Sequence, residues 1–155
     1  MLTIYIDADA CPVKDEVHRV ADRYKMRVAV VAKSTMRTPI HERVEMVVRS
    51  GFGEVDDWIA EQIGPGDIVI TTDIPLAARC LAKEARALNS KGEEFTDNDI
   101  GSALALREIL DQMRQSGVRT GGPAAMTAKD RSRFLSKLDE LVNAVRRTHP
   151  PKAEE

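Results

Sequence analysis

Cysteine is scarce in this chain. Only Cys11 and Cys80 occur in 155 residues. They form no metal-ligand spacing and no disulfide framework, which excludes a zinc-ribbon or disulfide-stapled scaffold. The simplest expectation is a reduced, cytoplasmic protein. Aromatic residues are also few, at 4%. That leaves little material for stacking on exposed bases and argues against sequence-specific recognition of single strands. An excess of one charge is missing as well: 23 Lys and Arg stand against 25 Asp and Glu, for a net charge of −2. No global positive field draws in nucleic acid, so any RNA contact must be a local basic patch. Apolar runs are too short to cross a membrane, and the N-terminus opens on a strand rather than on a basic segment and an apolar leader. There is no internal repeat.

What is present is ordinary for a globule: 43% hydrophobic and 31% charged residues. The length predicts one domain over 1–148, with 149–155 as a tail. Ile4, Tyr5 and Ile6 read as a buried strand that runs into Asp7-Ala8-Asp9 and stops at Pro12. If the backbone stays extended, the spacing of two puts Asp7 and Asp9 on one side. Carboxylates so placed repel unless a cation or proton sits between them. The alternative is that Asp9 caps the next helix and Asp7 is solvated. Val13, Val17, Val20, Ala21 and Tyr24 form one helical face, and Val28 to Ala32 is a buried strand.

Val44 to Val48 is a third strand of uncertain direction. A short helix follows, with Glu54, Asp56 and Asp57 in its first turn, where the helix dipole favours acids. Asp67 to Asp73 repeats the opening pattern of an apolar strand ending in a carboxylate, and Pro75 starts another helix. Ala87 to Asn89 is a brief strand and Ser90 to Thr96 a polar loop. Asp97 to Gln115 reads as a helix, Gly117 to Pro123 as a glycine-rich loop, and Thr127 as the cap of a last helix. Phe134, Leu135, Leu138, Leu141, Val142 and Val145 make its apolar stripe.

Strands alternating with helices predict a three-layer α/β/α fold with a mainly parallel central sheet of about five strands. Ligands of such sheets bind outside the strand carboxyl ends, where the winding reverses. If the first and fourth strands flank that reversal, Asp7, Asp9 and Asp73 converge as candidate catalytic residues. Carboxylates without histidine suit Mg²⁺ or Mn²⁺. Asp97 and Asp99 are further candidate ligands, although Asp97 is equally a helix cap. Lys14, Arg37, Thr71, Thr72 and Arg79, with Lys33 and Lys91, are candidates to contact substrate near the same strand ends.

Asp7-Ala8-Asp9-Ala10-Cys11-Pro12-Val13-Lys14, Thr71-Thr72-Asp73-Ile74-Pro75-Leu76-Ala77 and Gly121-Gly122-Pro123 together resemble the uncharacterised bacterial YaiI/YqxD family. The likeness runs over almost the whole chain, to about Val145. That family in turn resembles PIN-like and NYN-like domains, commonly metal-dependent ribonucleases. In those domains an acidic residue ends the first strand and another follows the fourth in a Thr-x-Asp setting. The resemblance assigns Asp7 and Asp73 to those positions, and less directly Asp9 and Asp97. The chain departs from the family pattern at Gly53, where aspartate is usual, and at Met126, usually aromatic. Two other readings remain. Asp-x-Asp after a first strand is similar to haloacid-dehalogenase-type phosphatases, with Asp7 as nucleophile and Asp9 as general acid, but Ala10-Cys11 follows where Thr or Val is usual. A non-catalytic PIN-like module would hold RNA or a protein without cutting it.

Overall fold

The computed structural model describes residues 2–96 and 126–149. The sheet is six-stranded, in the order β3-β2-β1-β4-β5-β6. Its strands are β1 (Thr3–Asp7), β2 (Arg27–Ala32), β3 (Val44–Val48), β4 (Ile68–Ile70), β5 (Arg86–Leu88) and β6 (Glu94–Phe95). β1 to β5 run parallel, and β6 is antiparallel to β5. The described helices are α1 (Lys14–Tyr24), α2 (Glu54–Gln62), α3 (Ile74–Leu81) and α4 (Ala128–Thr148).

Alternation along the strands divides the core into two layers. Ile4, Ile6, Val28 and Val30 pack against Val17 and Val20 of α1 and against Phe134, Leu138 and Leu141 of α4. Tyr5, Ala29, Val31 and Val69 face the other way, onto Val55 and Ile59 of α2 and Leu76 and Cys80 of α3. The predicted three-layer architecture is therefore present, with α1 and α4 on one face and α2 and α3 on the other. Ile4, Ile6 and Phe134 are completely buried. Each such side chain contributes about 1.5–3 kcal/mol by leaving water.

Local signals explain the helix starts. The Asp73 carboxylate accepts from Leu76 N at 2.8 Å, and proline occupies the first turn of α3. Thr127 and Asp130 form a reciprocal capping box at the start of α4. α4 docks on α1 through polar contacts as well as its stripe. Asp139 accepts from Tyr24 Oη at 2.9 Å and from Arg23, and Asn143 Nδ2 donates to Tyr24 Oη at 3.0 Å.

Two local expectations change, and the direction of β3, which the sequence leaves open, is decided. The chain leaves β1 in a single 3₁₀ turn, Ala8–Ala10, so the backbone is not extended from Asp7 to Asp9. β3 is parallel to β2 although the connection between them contains no helix; the segment spans 33–43 as a strap. The 90–96 loop contains β6, a strand of two residues, too short for any period to register. It exists because Asn89 Oδ1 accepts from the amides of Lys91 and Glu93, both at 2.9 Å, and Gly92 turns the chain at φ +82. The Asp97 and Asp99 ligands, the 97–115 helix and the 117–123 loop lie outside the described residues. No helix among the described residues is long and apolar enough to cross a membrane.

Candidate active site at the strand carboxyl ends

From β1 the chain winds first to β2 and β3 on one side, then crosses to β4 and β5 on the other. The reversal lies between β1 and β4, which are hydrogen-bonded parallel neighbours with Ile6 opposite Ile70. A crevice opens at the carboxyl ends of such a pair. The residues one step further on, Asp7 and Thr71, face each other there.

Asp7 points to the α2/α3 face by alternation from Tyr5. Thr71, 2% exposed, donates from Oγ1 to Asp7 Oδ2 at 2.7 Å. The same hydroxyl accepts from Asp73 N at 2.9 Å. One buried threonine thus ties both aspartates of the crevice together. Burial pushes the Asp7 carboxyl above its ordinary proton affinity; the Thr71 hydrogen bond opposes this, and the charges of Asp73 and Asp9 add to it. The expectation that a carboxyl here is raised by its neighbours holds, with burial as the larger cause.

The other carboxylates differ in what holds them. Asp9 lies in the 3₁₀ turn, and its Oδ2 accepts from Lys33 N at 3.0 Å while its charge still acts on Asp7. Asp56 joins them, an acid that the dipole of α2 alone would also explain. It is half-buried, and its carboxyl is raised by burial and then by the charges of Asp73 and Asp7, with Arg79 opposing. The signal was available: Asp56 precedes the buried Ile59 and Ala60 by three and four, so it shares their inward face. A helix linking parallel strands also has to begin at their carboxyl ends.

The predicted substrate contacts have mixed surroundings. Lys14 Nζ donates to the carbonyls of Ala8 and Cys11 at 3.1 and 2.6 Å, bracing the 3₁₀ turn rather than standing free. Arg79 pairs with Asp57 at 2.9 Å. Thr71 is a buried link, whereas Thr72, Lys33, Arg37 and Lys91 are exposed. Cys11 and Cys80 are buried free thiols, and burial pushes Cys80 up to about 12. A separate cavity of about 460 Å³ lies between α1 and the strap, lined by His18, Arg19, Ile40 and His41 among others, and no crevice carboxylate reaches it.

Among the described residues no group of three or more His, Cys, Asp or Glu could enclose a metal ion. A closed protein cage is not what Mg²⁺ requires. It keeps several waters and binds through one or two carboxylates together with substrate phosphates. Asp7 with Asp73 or Asp56 supplies oxygen donors of that kind. The amino ends of α2 and α3 meet the same crevice and carry partial positive charge suited to a phosphate.

Comparison with known proteins agrees with this chain's motifs. The family described as "Uncharacterized BCR, YaiI/YqxD family" matches residues 5–144. A UPF0178 protein of Rhodospirillum centenum is 53% identical over 95% of this chain and 99% of its own length. One from Parvibaculum lavamentivorans is 51% identical over 97% of this chain and the whole of its own. One from Rhodopseudomonas palustris is 48% identical over 95% and 90% respectively. No solved structure matches significantly. The chain belongs to the uncharacterised YaiI/YqxD family, UPF0178.

Proposed function

We propose that this chain is a PIN-like, Mg²⁺- or Mn²⁺-dependent ribonuclease that hydrolyses phosphodiesters at the β1/β4 crevice. The observation that carries this reading is Asp7: a carboxylate at the topological switch point, held by the buried Thr71 and raised by burial and by Asp73 and Asp9. A raised carboxyl among like charges is what a cation relieves. Asp7 and Asp73, with Asp56, would hold the ion; Asp97 and Asp99 are further proposed ligands. When bound, the ion polarises a phosphoryl oxygen and lowers the pKa of water. The chain's own part is to orient Asp7 through Thr71 and to present the amino ends of α2 and α3 to the phosphate. Hydrolysis adds water across one P–O bond, leaving a phosphomonoester and an alcohol.

The test compares highly purified wild type with Asp7→Asn and Asp73→Asn. Wild type should cleave RNA in Mn²⁺ and gain thermal stability as Mn²⁺ is added. Both variants should lose cleavage, and Asp73→Asn should show a smaller metal-induced rise in melting temperature. Cleavage that persists in Asp7→Asn, or an equal metal response in all three proteins, refutes the shared site. Release of phosphate from small phosphomonoesters with a phosphoaspartate at Asp7 would select the phosphatase chemistry instead. RNA retention without either activity would select the binding module.

A further inference from the structure

Phe52 is fully exposed, at 103% of its reference area. It sits in the connection from β3 to α2, between Gly51 and Gly53. Gly53 adopts φ +72 at the N-cap of α2, a conformation that glycine takes without steric cost. The turn is tied down on both sides: Glu54 N donates to Gly51 O at 3.2 Å, and Asp57 N to Gly53 O at 3.0 Å. A phenyl ring is thus held in water on a short, hydrogen-bonded turn rather than on a loose loop.

Its place in the fold is on the same edge as the crevice. β3 ends beside β2, with Val48 opposite Ala32, and β2 ends beside β1, with Val31 opposite Asp7. Two strand spacings put the end of β3 roughly 10 Å from Asp7. α2, which the turn leads into, carries Asp56 into the crevice in its first turn. Exposed Lys33 directly follows β2, and Arg49 N donates to Ala32 O at 2.9 Å beside it. By strand order, the turn that carries Phe52 follows β3, Lys33 follows β2, and Asp7 ends β1.

We infer that Phe52 is a stacking platform for a nucleobase of a single-stranded nucleic acid whose backbone passes Lys33 towards Asp7. This rests on the ribonuclease reading and adds its substrate class, an unpaired strand. The surroundings of Phe52 distinguish a base from a protein partner. Ser50 and Glu54, next to the two glycines that flank it, are exposed and polar. A stable protein interface needs about 800 Å² from each side with an apolar core, whereas a base needs one π-face. Every base has such a face, so the platform carries no sequence preference. The low aromatic content is consistent with that and still excludes an extended sequence-reading surface.

The experiment measures binding of a labelled oligouridine of about eight nucleotides by fluorescence anisotropy, with Ca²⁺ in place of Mg²⁺. An abasic strand of the same length is the control. Wild type should bind oligouridine more tightly than the abasic strand. Phe52→Ala should weaken oligouridine binding about fivefold or more, and Phe52→Trp should restore it with quenching of the new indole. Equal binding of base-bearing and abasic strands, or a smaller loss in Phe52→Ala, overturns the inference. Because Phe52 is exposed, both variants should keep the wild-type melting temperature, which separates lost stacking from lost folding. Binding is read without turnover. Stacking without cleavage would therefore refute the hydrolytic reading alone, and cleavage without stacking the role of Phe52 alone.

Discussion

Replacing Thr71 by Val tests the link that holds the crevice together. Valine is nearly the same shape and suits a strand, so neither backbone preference nor packing volume changes much. What disappears is one hydroxyl with two partners, Asp7 Oδ2 at 2.7 Å and Asp73 N at 2.9 Å. A hydrogen bond to a charged acceptor contributes about 1.5–3 kcal/mol and a neutral one about 1 kcal/mol. The expected loss at pH 8 is therefore about 3 kcal/mol, or a drop of about 1.5 M in urea midpoint for a slope near 2 kcal/mol/M. The loss should depend on pH. Asp7 already lies above its ordinary 3.8, and the Thr71 hydroxyl is what holds it down. Without the hydroxyl it rises further. A carboxyl raised in the folded state keeps a proton that the unfolded chain has released, so stability falls as pH climbs above 3.8 through the folded value. The deficit of Thr71→Val should accordingly widen from pH 4 to pH 8, and Thr71→Ser, which keeps the hydroxyl, should show no such widening. Urea titrations of the metal-free proteins at the two pH values measure this. A deficit below about 1 kcal/mol, or one independent of pH, would refute the idea that this hydroxyl supports an ionised Asp7.

Two further outcomes follow from the same structure. Asp7→Asn can still accept from Thr71 but carries no charge beside Asp73 and Asp9, so the metal-free variant should be more stable than wild type at pH 8, with the advantage vanishing below pH 3.8; thermal melts in chelator at several pH values check the sign. Gly92→Ala should destabilise by about 1 kcal/mol or more, because φ is +82 and a Cβ would lie 3.1 Å from Arg133 O and 3.2 Å from Phe134 Cα; an unchanged urea midpoint would mean that the 89–93 turn does not pack tightly on α4.

Much of the architecture was written locally. The apolar runs at Ile4 to Ile6, Val28 to Ala32 and Ile68 to Ile70 require two-sided burial, and only a parallel sheet covered on both faces supplies it. The starts of α3 and α4 are encoded by Asp73-Ile74-Pro75 and by Thr127 with Asp130, where a side-chain oxygen meets an amide three residues away. Interactions of such short range are legible in sequence. Asp7 and Asp73 were legible for the same reason: each stands next to a strand or helix end that the local pattern already marks.

The tertiary structure decided which other groups join them. How Asp9 stands to Asp7 depends on the dihedrals of the Ala8–Ala10 turn and on the amide of Lys33, which holds the Asp9 carboxylate just past the end of β2. Whether Asp56 is a solvated helix cap or a crevice carboxylate depends on how α2 packs beside α3, since an exposed and a buried first turn carry the same acidic residues. Thr71 became the link between two carboxylates only because β4 pairs with β1 in a register that sets Ile70 opposite Ile6. Strand order and register arise from packing over long separations along the chain. Local propensity does not contain that information.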